Sequence, residues 1–161
     1  MPPPDPMQPI KIPILLWAKL IPELRRRGRG VRESGAFLLA KRDHRPRAVC
    51  AVQYYDDLDP NALNGAIAFH DTGYSALWAY CRQHGLAIVA DVHTHPGSDV
   101  GQSTIDQRNP MMPKTGHTGL IVPHYAHASR WSLQGVGVHE YLGNFTWRRH
   151  LCGQHIRLSW W

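Results

Sequence analysis

The stretch VADVHTHPGSDVGQSTID, residues 89–106, decides how this chain is read. It continues an apolar run, Leu86-Ala87-Ile88-Val89-Ala90, that is short, bounded by Gly85 and so patterned as a buried strand. Alternate residues of a strand share a face, about 6.6 Å apart along the chain. His93 and His95 therefore project together. Pro96 and Gly97 stop the strand behind them, which puts the pair at a strand end, where α/β active sites tend to lie. Two imidazoles on one face can lean onto a single ion.

The chain has 161 residues, enough for one domain with a real core. The expected division is a disordered, proline-rich leader over residues 1–9 and a single domain over 10–161. The leader lacks the basic and apolar regions of a signal peptide. No apolar segment reaches roughly 18 residues, so no membrane helix is expected. Cys50, Cys81 and Cys152 are odd in number and far apart, which fits a reducing cytoplasm better than a disulfide framework. The net charge of +6 raises nucleic acid as a partner. Only Arg25-Arg26-Arg27-Gly28-Arg29 is dense, however, and no stripe of basic and aromatic residues is interleaved.

Along the chain, residues 12–28 read as a helix with Trp17, Leu20, Ile21 and Leu24 on one face, Pro13 near its start, Gly28 at its stop and Pro22 as a possible kink. SGAFLLAK and RAVCAVQYY read as strands joined by a turn. Residues 56–65 form a polar loop, and AIAFH, 66–70, a short strand. A helix capped by Asp71 or Thr72 runs to His84, with Tyr74, Leu77, Trp78 and Cys81 at core spacing and Gly85 behind. After the histidine strand comes a short helix near Ser103. GLIVPHY, RWSLQGVGVHEYL and NFTWRRHL read as further strands. The pattern is α/β: a mixed sheet flanked by two main helices. The apolar end LSWW reads first as packing onto that sheet and otherwise as docking a partner.

A catalytic zinc site takes three protein ligands and leaves a fourth position to water. His93 and His95 supply two. The third should be a carboxylate or histidine from the next element, and Asp106, 11 residues after His95, has enough chain behind it to curl back. Bound Zn²⁺ lowers the pKa of its water to about 7. Hydrolysis also needs a base to take the water's proton and pass it to the leaving amine. The chain has three glutamates: Glu23 beside the arginine run, Glu140 on a late strand, and Glu33 opening a strand that can pair beside the histidines. By elimination Glu33 is the candidate base.

Plainer readings stand beside these. With 11 histidines in the chain, one H-x-H pair is unsurprising. Ser103-x-x-Asp106 is also a helix-capping pair. Glu33 alone reads as an exposed strand-end charge. His124 with His127, or His150 with His155, offer further donor pairs but read first as surface or core histidines. Cys81 reads as core rather than nucleophile.

Taken together, Glu33, His93-Thr94-His95-Pro96, seven residues counted from Pro96 to Gln102, and Ser103-x-x-Asp106 resemble the signature of the JAMM metalloproteases of the MPN (cytidine-deaminase-like) fold. ESGAFLLA looks like that family's opening, with Ala36 and Ala40 where the family often has glycine or cysteine. The resemblance implies a mixed, curved sheet with two main helices and a short helix after the metal motif. It implies one Zn²⁺ per chain on His93, His95 and Asp106. Glu33 would be general base and Ser103 would hydrogen-bond the oxyanion, while Thr94 would be structural. It implies hydrolysis after the C-terminal glycine of a ubiquitin-like protein, as deconjugation, precursor processing or both.

The compact form resembles bacterial stand-alone members, often found with ubiquitin-activating-like and conjugating-like enzymes, including antiviral defence sets. The segment after Asp106 is too short for the insertion that serves linkage-specific deubiquitinases. Asp56, Asp57 and Asp59 could meet the basic tail of such a modifier. The alternatives are a catalytically silent MPN scaffold that binds protein partners, or a JAMM hydrolase acting on a sulfur carrier or small amide. A zinc deaminase would need H-x-E with P-C-x-x-C, and neither occurs.

Overall fold

The computed structural model describes residues 8–43, 47–151 and 153–160. Residues 1–7 of the expected leader, the centre of the turn after Asp43, Cys152 and Trp161 lie outside these. The main sheet has six strands: β2 (Gly35–Lys41), β3 (Val49–Tyr54), β4 (Leu86–Thr94), β5 (Thr118–Val122), β6 (Gly137–Gly143) and β7 (Thr146–His150). Their order is β3-β2-β4-β5-β6-β7, with β4 and β5 parallel and the other neighbours antiparallel. β1 (Ile10–Pro13) and β8 (Ile156–Ser159) form a separate parallel pair. The helices are α1 (Ile14–Gly28), the single turn α2 (Tyr55–Leu58), α3 (Asp71–His84) and the short α4 (Thr104–Arg108).

Alternation along the strands divides the core in two. Leu38 and Ala40 of β2, Ala90 and Val92 of β4, Leu120 and Val122 of β5 and Val138 of β6 face α1 and the β1–β8 pair. Trp17, Leu20, Ile21 and Leu24 of α1 fill that layer, as their spacing predicts. Phe37 and Leu39 point the other way, into a cluster with Tyr55, Leu77, Cys81 and Leu86. β2 and β5 are buried on both faces, which marks them as interior strands. His93 belongs to the α3 side but lies near the end of β4, past the apolar cluster.

Several expectations are corrected. Ile12 and Pro13, expected to open the helix, instead end the strand Ile10–Pro13, because β8, far off in sequence, supplies a partner. Pro13 is therefore the residue before the helix. Pro22 stays within α1 and forgoes only the bond to the Ala18 carbonyl. The helix stops at Gly28 as expected, though the next residue makes the turn. Arg29 takes the left-handed conformation at φ 54°, and Gly28 remains helical and buried. Residues 66–70 are irregular rather than a strand: the Phe69 ring packs edge-on against Tyr74 at 4.6 Å and Phe37 at 5.2 Å.

The loop 56–65 holds most of α2 and three buried residues, Asp59, Ala62 and Leu63. Asp71 and Thr72 do not cap α3; His70 takes that position without a side-chain bond. Trp78, assigned to the core by spacing, is 43% exposed. The strand expected through Tyr125 ends at Val122, since Pro123 cannot donate to a ladder. The strand expected from Arg130 begins at Gly137.

Among the described residues no helix is long and apolar enough to cross a membrane. Cys50 and Cys81 are free.

Gly35 marks a close approach in the sheet. A Cβ there would strike the Tyr55 ring and lie 2.6 Å from the Val92 carbonyl oxygen. Gly35→Ala is expected to destabilise the fold by roughly 1–3 kcal/mol, as overpacking does. Denaturant unfolding checks this, and an unchanged midpoint would mean that β2 and β4 are free to spread.

Candidate metal centre

β4 pairs with β2 so that His93 stands opposite Gly35. The pairing continues beyond the strand. Thr94 N donates to the Ser34 carbonyl at 2.9 Å, and Ser34 N donates to Thr94 Oγ1 at 3.0 Å. The same register brings Glu33 alongside His95. Thr94 is fully buried on the other face. Ser34 Oγ donates to the Leu24 carbonyl at 2.6 Å, which ties the end of α1 to the segment carrying Glu33. On the far side, His95 N donates to the Val122 carbonyl at 2.9 Å.

The third donor arrives on α4. Ser103 is its N-cap: Oγ accepts from Asp106 N at 3.1 Å, while Ser103 N donates to Asp106 Oδ2 at 2.8 Å. This is the reciprocal capping box that the spacing predicts. Capping does not use up Asp106. Its Oδ2 also lies 3.2 Å from His95 Nε2, and its Oδ1 lies 3.5 Å from His93 Nε2. The two Nε2 atoms are 3.2 Å apart.

A tetrahedral ion with ligand bonds of about 2.0–2.1 Å has ligand–ligand edges of about 3.3 Å. The observed separations are of that size, His93 being measured to Oδ1 and His95 to Oδ2 of Asp106. The tautomer fits as well. His95 Nδ1 lies 2.9 Å from the Asp99 carbonyl, which can only accept. Nδ1 therefore carries the hydrogen, and in the neutral ring Nε2 keeps its lone pair facing the other donors. His93, His95 and Asp106 are positioned to bind a metal ion.

The electrostatics point the same way. Burial tends to raise the Asp106 pKa. Hydrogen bonds from His93, His95 and Ser103 N outweigh it and hold the carboxyl well below its usual range. The hydrogen bond to Asp106 raises His95 above its ordinary value, against the opposing effect of burial. With no metal, a proton on His95 Nε2 bridges to Asp106. Metal and proton thus compete for one position.

Glu33 is half-buried, and burial raises its pKa; His93 and His95 pull it back down, and Asp106 adds to the rise. Glu33 shares one depression with Ser103 and Asp106, and a second with His95, Gly97, Gly101 and Ser103. The other two glutamates are elsewhere. Glu23 pairs with Arg26 and Arg27, and Glu140 bonds His150 on the opposite face of the sheet.

Other supports have weak sequence signals. His139 Nε2 meets the Val100 carbonyl at 2.9 Å, and Gly137 lies so close to Val100 O that a Cβ would collide. These fix the loop from His95 to Ser103. Asp91, two residues before His93 on the same face, is bound by His117 at 2.6 Å and by the Tyr55 hydroxyl at 3.1 Å. Period-two alternation could have flagged Asp91; nothing local points to its partners. After β5, His124, Tyr125 and Ala126 all take positive φ of 50–67°. Such a run costs energy without glycine. It is held by Tyr125 N on the His95 carbonyl at 2.8 Å and by Arg25 on the Ala126 carbonyl at 3.0 Å.

No family model matches the chain. Its structure is similar to the solution structure of protein DSY2949 from Desulfitobacterium hafniense, with TM-score 0.61 and 18% identity over 93% of this chain and 92% of that one. It is similar to a protein from Salinibacter ruber, with TM-score 0.51 and 16% identity over 83% of this chain and 86% of that one. It is also similar to AF2198 from Archaeoglobus fulgidus, a Jab1/MPN domain protein, with TM-score 0.50 and 11% identity over 96% of this chain and 100% of that one. The chain has an MPN-like fold. In this MPN-like frame the donor triangle sits at the end of β4, closed over by α4.

The purified chain is expected to hold metal that His95→Ala and Asp106→Ala lose, measured by elemental mass spectrometry. Ser103→Ala, which loses the cap at about 1 kcal/mol, should keep it. Metal in His95→Ala equal to the parent would remove this site. Acidification should also release the metal. Below its raised pKa, His95 holds protons on both nitrogens and cannot ligate. Retention after dialysis should therefore fall in acid, at a pH below that value because the bound ion holds the proton off, and retention that ignores pH would contradict the ligand assignment.

Proposed function

We propose that the chain is a zinc-dependent isopeptidase or peptidase of the JAMM type, cleaving after the C-terminal glycine of a ubiquitin-like protein. The observation that carries this is the donor triangle of His93, His95 and Asp106 with Glu33 beside it in a shared depression. A complete triangle with one imidazole's tautomer already fixed supports a working centre over a silent scaffold.

Zn²⁺ bound there would supply Lewis-acid polarisation of the scissile carbonyl and acidify water. The residues of the chain do the rest. The Glu33 carboxylate takes a proton from the attacking water and returns it to the departing amine, so the base is regenerated each cycle. Ser103 Oγ accepts from Asp106 N, which leaves its own proton to donate to the carbonyl oxygen as negative charge develops. Asp99 and Ser103 N hold His95 and Asp106 in place.

Small residues border the depressions: Gly65 and Ala66 on one side, Gly97 and Gly101 on the other. They leave backbone for an extended, glycine-ended tail to lie against. The acidic loop is not free to receive a basic tail. Asp56 and Asp57 pair with Arg27 at 2.9 and 2.8 Å, and Asp59 is buried against His70 and Asn61 N. Arg25, Arg26 and Arg27 are likewise engaged within the chain, which weakens the motive for a nucleic-acid partner. The cytoplasm, with conjugating enzymes of the same pathway as partners, is the setting that fits this activity.

Glu33→Gln should keep its metal yet cleave a panel of ubiquitin-like fusions at least about 10²-fold more slowly. Cleavage by mass spectrometry, with and without chelator, checks it. Turnover by Glu33→Gln equal to the parent would take Glu33 out of the reaction.

A further inference from the structure

A second donor cluster lies on the other face of the sheet. Thr118 and Glu140 are cross-strand partners, in register with Leu120 opposite Val138 on the α1 side. His150, at the end of β7, stands opposite Val138 and diagonal to Glu140. Its Nε2 lies 2.8 Å from Glu140 Oε2. His155, just before β8, stacks on the His150 ring with centroids 4.2 Å apart and planes 11° from parallel. His155 Nε2 lies 2.7 Å from Thr118 Oγ1. One donor atom each from Glu140, His150 and His155 fall within 4.8 Å of one another. None of these groups has a part in the proposed reaction.

Two imidazoles and a carboxylate form a donor set of the kind zinc accepts. The side chains of Glu140 and His150 are only 14% and 20% exposed, so an ion among them would be partly shielded yet reachable. The location gives it work to do. The chain leaves the main sheet after β7 and enters the two-stranded pair at β8, where the His155 carbonyl accepts from Ile10 N at 3.0 Å. A ligand on each side of that passage would fasten the pair to the sheet.

We infer that Glu140, His150 and His155 form a second divalent metal site, structural in role, that clamps β8 to the main sheet. The ion takes the place of the hydrogen bond between His150 and Glu140. Their contact opens from 2.8 Å towards the tetrahedral edge of about 3.3 Å, and the stacked rings tilt apart. Thr118 Oγ1 is placed to hydrogen-bond the outer shell. Arg148 is the register partner of Glu140, and Arg47 carries its charge near His155. Their repulsion makes this the weaker of the two sites, filled after the first. The inference does not depend on the proposed activity.

The test uses the full chain with His93→Ala and His95→Ala, which disables the first centre. It is titrated with Zn²⁺ by calorimetry and with Co²⁺ by visible absorption. About one equivalent should bind, with the strong absorption of a tetrahedral cobalt site, and the melting temperature should climb with metal concentration. Adding His150→Gln or Glu140→Gln should abolish the binding and the shift. Both positions are near the sheet edge, and circular dichroism verifies that the variants fold. No binding to the doubly substituted chain would overturn the inference, as would an equivalent that survives both further substitutions.

Discussion

Everything at the site depends on how closely β2 and β4 approach at Gly35. With no side chain there, the Tyr55 ring packs under the backbone and Val92 O comes near. The register that follows puts Ser34 opposite Thr94 and Glu33 beside His95. A slip of one residue would turn His93 and His95 into the apolar layer and bring Thr94 to the depression. Glu33 and the two histidines are therefore placed by one pairing, and two strands far apart in sequence meet as a single unit.

Asp106 closes that unit through a local device. The first turn of α4 needs an acceptor for its orphan N–H groups, and the Ser103–Asp106 box supplies it. The same geometry points the free edge of the carboxylate at two imidazoles. Glu33 sits nearby, and Asp91 lies behind on the same strand. Several carboxylates around one half-buried point are costly unless a cation joins them. The raised His95 and the lowered Asp106 express this demand with a proton, and a divalent ion meets it with more charge.

The metal-ligand geometry was legible because it rests on local rules. Alternation gives His93 and His95 one face, and the capping pattern places Ser103 and Asp106 on one turn. Glu33 was reachable only by elimination among three glutamates, since its position depends on a pairing across sixty residues. What stayed hidden depends on distant partners. β1 becomes a strand because β8 lies beside it. Residues 66–70 lose strand form to the aromatic packing of Phe69. Asp56, Asp57 and Asp59 look solvated in sequence, but Arg27 and His70 take them. The left-handed run at 124–126 contains no glycine, so it left no trace in the sequence.

The most direct test is a crystal structure with anomalous data collected above and below the zinc edge. The account predicts a peak about 2.0–2.1 Å from His93 Nε2, His95 Nε2 and an Asp106 oxygen, on the side open to Glu33. Fully metallated crystals with no peak among those three side chains would contradict it.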